Sequence, residues 1–63
     1  MTPHEVQAIV SAGAVVKVFF DKHTETVLIV SVDPDGILCR PLSGEAAAEF
    51  WLAHGQISRI EKI

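Results

Sequence analysis

Residues 14–32 constrain the fold more than any other part of the chain. They read Ala-Val-Val-Lys-Val-Phe-Phe, then Asp-Lys-His-Thr-Glu, then Thr-Val-Leu-Ile-Val-Ser-Val. β-branched and aromatic residues fill both apolar runs, and the polar stretch between them is short, so the segment predicts two antiparallel strands. The first covers 14–21 and the second 25–33, with Asp21-Lys22-His23-Thr24 as the hairpin loop. Alternation places Val16, Val18 and Phe20 on one face of the first strand and Val15, Lys17 and Phe19 on the other. In the second strand it places Leu28, Val30 and Val32 opposite Val27 and Ile29. A solvated hairpin has one polar face; here both faces are largely apolar. One must line an interior, and the other must meet a helix or a neighbouring subunit.

The flanking segments supply the rest of the fold. Thr2-Pro3-His4-Glu5 starts a helix: Thr2 caps, Pro3 suits the first helical position, and Glu5 completes a capping box. Val6, Ile9, Val10 and Gly13 follow at helical spacing, which predicts a helix over 3–12 stopped by Gly13. Asp33-Pro34-Asp35-Gly36 is a turn in which Gly36 supplies a positive φ. A third strand covers 37–42 and ends, or lies at a sheet edge, at Pro41. The segment Glu45–Glu49 has strong helix propensity, yet Phe50-Trp51-Leu52 follows at once with the bulk of a strand. The reading adopted is a turn over 43–47 and a strand over 48–53, with a short helix as the alternative. His54-Gly55-Gln56-Ile57 is then a tight turn, and 58–63 closes the sheet with Ile60 inward. The whole chain is one domain, mainly β with one N-terminal helix. Five short, bent strands favour a small antiparallel barrel, because closure removes sheet edges.

This layout, an N-terminal helix on five strongly bent strands, resembles the Sm-like small β-barrel family over nearly the whole chain. The resemblance implies a ring-forming, RNA-binding protein that reads its ligand with two loops. The first loop falls at Asp33-Pro34-Asp35-Gly36, where the family's Asn is absent. The second falls at His54-Gly55, which matches at the glycine and lacks the family's basic side chain. His54, Gly55 and Arg59 would carry nucleic-acid binding under this reading. The barrel is also similar to that of the plasmid-encoded dihydrofolate reductase, whose Val-Gln-Ile-Tyr motif is absent, so no active-site residue is transferred.

Composition bears on partners. A domain of 63 residues buries only about 60% of the surface its unfolded chain exposes and usually needs a staple. The lone Cys39 forms no internal disulfide, and His4, His23 and His54 lack metal-ligand spacing, so they read as solvated or capping side chains. No cofactor or metal is called for. Self-assembly is the staple that remains. The net charge of −3 and the scattered Lys17, Lys22, Arg40, Arg59 and Lys62 weigh against a polyanion as the main ligand. There is no signal-peptide pattern and no apolar run of membrane-spanning length, so the expectation is a cytoplasmic protein with a reduced thiol.

No side-chain grouping has the spacing of catalysis. Asp33-Pro34-Asp35-Gly36 lacks the later ligands of a calcium loop, Glu45 and Glu49 read as a solvated face, and Cys39 reads as a small buried hydrophobe. Trp51 is the most suggestive residue: in a strand it faces outward while Phe50 and Leu52 face the core. With Val15 and Phe19 it would form an apolar interface. The sequence therefore favours a non-enzymatic, homo-oligomeric module that binds a protein partner. The alternatives are an Sm-like RNA-binding ring and an enzyme whose active site lies on an oligomer axis.

Overall fold

A computed structural model describes residues 1–42 and 48–63. The predicted turn over 43–47, and with it Glu45, lies outside the described residues. Helix α1 covers Pro3–Ile9. Strands β1 (Val15–Phe20), β2 (His23–Asp33), β3 (Gly36–Pro41), β4 (Phe50–Ala53) and β5 (Ile57–Lys62) follow, with a 3-10 turn at His54–Gln56 between the last two. The sheet is antiparallel with strand order β4-β3-β2-β1-β5. β4 and β5 are its edges and share no ladder, so the sheet is open rather than closed into a barrel.

The capping box at the start of α1 is formed: Glu5 N donates to Thr2 Oγ1 at 3.2 Å, and Thr2 N donates to Glu5 Oε1 at 3.0 Å. The helix stops earlier than its apolar spacing suggests, at Ile9, with Val10 already extended. Val10 still reaches the core, as does Val6. Gly13 is therefore not the helix stop. It adopts φ +90°, a region that favours glycine, and turns the chain into β1.

The hairpin loop is also shorter than predicted. His23 and Thr24 belong to β2, and Asp21-Lys22 alone make the turn, with φ of +44° and +65°. Two consecutive positive φ values define the type I′ turn, whose twist matches that of the flanking strands. A two-residue turn likewise joins β2 to β3 through Pro34-Asp35. There Gly36 does not have the expected positive φ. It pairs with Ala53 as the first residue of β3, and crowding rather than dihedral freedom requires glycine.

Val16, Val18, Val27, Ile29, Ile37, Cys39, Leu52, Ile57 and Ile60 form the core with Val6 and Val10. One expected face assignment fails. Ile29 pairs with Cys39, but the next matched pair is Ser31 with Leu38, so Val30 is an extra residue in β2. This bulge reverses the alternation. Val32 turns inward to pair with Ile37 and pack on the core, while Leu28 and Val30 stay outside. A second irregularity, at Ser58, lets β5 follow the curvature of β1.

The sheet curls strongly. Flat strands in the positions of β1 and β4 would lie about 14 Å apart, yet the Phe20 and Phe50 rings meet across the concave side at 5.9 Å.

Candidate functional site: the outer face and edge of the sheet

Cross-strand register assigns side chains to the convex face. Val15 pairs with Leu28 and Leu28 with Arg40; Ser31 pairs with Leu38 and Leu38 with Trp51. Opposed residues share a face, and none of these belongs to the core. With the bulged Val30 they form an apolar run across four strands: Trp51, Leu38, Val30, Leu28 and Val15. Leu28, Val30 and Leu38 are half-buried, while Trp51 and Val15 are 46% and 40% exposed.

Of the three residues expected at an interface, Val15 and Trp51 thus stand at opposite ends of one run. Sequence reasoning missed the connection between them, because Leu28, Val30 and Leu38 become neighbours only through the ladder and the bulge. Phe19 lies on the same face but apart. Lys17 separates it from Val15, and the Arg59 guanidinium covers its ring at 5.3 Å from the centroid.

Of the residues of the nucleic-acid reading, His54 and Gly55 lie together on the 3-10 turn and Arg59 follows on β5. His54 is 4% exposed and faces inward, which corrects the expectation of a solvated side chain. Its Nε2 lies 2.8 Å from the Asp33 carbonyl oxygen. A carbonyl only accepts, so Nε2 carries the proton. Nδ1 is buried with no hydrogen-bond partner among the described residues. The His54 amide donates to Asp35 O at 3.2 Å, so this residue fastens the last corner of the chain to the β2–β3 turn. The α-amino group of Met1 donates to His54 O at 3.0 Å and ties the start of the helix to the same corner. Phe50, Leu52 and His54 share one parity, and that parity is the sequence signal for an inward histidine. Gly55 is exposed on the 3-10 turn. Arg59 is occupied twice, by Phe19 and by Glu61 at 2.7 Å.

His4 and His23 are exposed. Cys39 is fully buried in the core, and burial pushes its thiol up to about 11. Its sulfur is therefore a thiol rather than a thiolate nucleophile near neutral pH. Glu49 bonds Arg40 at 2.8 Å on the convex face. Among the described residues no three His, Cys, Asp or Glu side chains are grouped as metal ligands, no pocket is found, and no helix is long and apolar enough to cross a membrane. Comparison of the chain with protein-family models, curated proteins and solved structures finds no match.

Proposed function

We propose that this chain is a small, non-enzymatic interaction module that assembles with copies of itself and binds a protein partner. The convex apolar run from Trp51 to Val15 carries the reading. A two-layer domain leaves such a face uncovered unless another chain sits on it. An exposed aromatic side chain beside half-buried aliphatic residues is a common anchor of a protein interface. On the same face Arg40 pairs with Glu49 and Arg59 with Glu61, and Lys17 is the charge that stands beside the run. Kinship with the Sm-like small barrels is part of the proposal. Its support is the N-terminal helix and the curled, doubly bulged five-stranded sheet.

Light scattering on the purified chain and on Trp51→Ala tests the reading. The parent is expected to scatter as more than one chain, and the variant as fewer chains with an unchanged circular dichroism spectrum. A parent that scatters as one chain at every concentration overturns self-assembly. Co-purifying material with high absorbance at 260 nm that leaves in a high-salt wash would favour an RNA ligand instead.

A further inference from the structure

We propose that the edge of β4 is where a second copy docks, antiparallel and about a two-fold axis through Trp51. The inference rests on the self-assembly reading above and places contact between copies at the Trp51 end of the convex run, leaving Leu28 and Val15 for the protein partner.

The hydrogen-bond alternation along β4 identifies the outward groups. His54 N–H donates toward Asp35, so His54, Leu52 and Phe50 direct their backbone groups to β3, and Trp51 and Ala53 direct theirs away from it. Ala53 N–H accordingly donates to the side-chain Oε1 of Gln56 at 3.0 Å. Trp51 is left as the residue of β4 with both an N–H and a C=O on the outward edge and no partner among the described residues. A single exposed donor–acceptor residue is matched by its own copy. Two antiparallel strands centred on it exchange both bonds in one closely spaced pair.

The register is fixed further by faces and charges. Opposed residues share a face, so within β4 Trp51 meets Trp51 or Ala53 of the second copy. The Ala53 option requires a donor that Gln56 already holds. The Trp51 option sets Phe50 against Leu52 on the concave side and places the two indoles side by side on the convex one. Glu49 then falls opposite Ala53 of the second copy, and its charge is already met by Arg40. No like charges oppose each other.

The other edge is protected where β4 is not. β5 carries Arg59, Glu61 and Lys62 and is irregular at Ser58, and charges and bulges are the features that keep sheet edges apart. β4 reads Phe-Trp-Leu-Ala, with no charge and no proline. A four-residue edge is short for an interface, since stable ones bury about 1,200 Å² or more. The dimer is therefore concentration-dependent.

Sedimentation velocity from micromolar to millimolar protein, combined with residue-resolved amide exchange, tests this. The expected mass rises from one chain of 6.8 kDa to two, and exchange at the Trp51 amide slows over the same range. Trp51→Lys is expected to remain a single folded chain, whereas Ser58→Lys, on the β5 edge, associates as the parent does. A two-chain species that survives Trp51→Lys, or a Trp51 amide indifferent to concentration, overturns the β4 edge and leaves self-assembly standing. An assembly larger than two chains overturns the two-fold geometry. A single chain throughout overturns both readings.

Discussion

The indole of Trp51 lies against the α-carbon of Gly36. A Cβ built on Gly36 would sit 2.8 Å from Trp51 Cζ2 and closer still to the Leu52 carbonyl oxygen. The carbonyl belongs to β4 and cannot retreat without distorting the β3–β4 ladder. Gly36→Ala should therefore cost about 1–3 kcal/mol, the range for overpacking a tight site. The urea midpoint, compared with the parent, checks this; an unchanged midpoint would mean that the strands separate freely.

Lys22 occupies the second position of the type I′ turn at φ +65°, a conformation that costs an L-residue about 1–2 kcal/mol. Lys22→Gly removes that strain and loses part of the gain to the entropy of the unfolded chain. The expected net is a rise in stability of about 1 kcal/mol or less, read from thermal unfolding. A lower melting temperature would contradict the turn assignment.

Cys39 gives a pH dependence with a definite sign. Burial moves its pKa from 9.0 to about 11, so between those values the folded chain keeps a proton that the unfolded chain has released. The stability linked to this group is intact below pH 9 and is lost as the pH rises through 11. Unfolding midpoints should fall over that window, and less steeply in Cys39→Ala. At pH 8 a thiol reagent should react with the unfolded chain and spare the folded one.

Glu5 receives two hydrogen bonds from Thr2, through its backbone N–H and its hydroxyl. These bonds hold its carboxyl below the ordinary carboxylate value. A depressed carboxylate contributes stability above its unfolded pKa and loses it as the pH falls through the folded value. An NMR titration should find Glu5 below the ordinary carboxylate value in the parent and returned toward it in Thr2→Ala, which removes the hydroxyl's part. No change in Thr2→Ala would show that the hydroxyl does not act on the carboxylate.

The elements legible in the sequence are those set by local chemistry: the Thr2–Glu5 capping box, the inward face of β1, the turn at Pro34-Asp35 and the outward Trp51. Element ends differ by a few residues, as at Ile9 and at the Asp21-Lys22 turn, and the misplaced side chains are those that distant residues decide. The Val30 bulge turns Val32 inward because β3 dictates the register of β2, and nothing within β2 marks the extra residue. His54 sits in what reads as a turn; its parity with Phe50 and Leu52 points it inward, and its bonds to Asp33 and Asp35 hold it there. Likewise Val15 and Trp51 are 36 positions apart in the chain; Leu28, Val30 and Leu38 join them only after the sheet has formed.

Copies of net charge −3 repel one another at low ionic strength. Contact through the uncharged β4 edge should therefore strengthen as salt screens that repulsion, whereas binding to a polyanion would weaken. Comparing sedimentation at low and high salt separates the two.

Trp51 emission over a dilution series is the most direct test that another chain meets β4, because the chain has one tryptophan and it stands at the centre of the proposed contact. The account predicts blue-shifted emission at high concentration that moves to the red as copies separate. Emission fixed at a single wavelength across the whole series, in a chain that sediments alone, would contradict it.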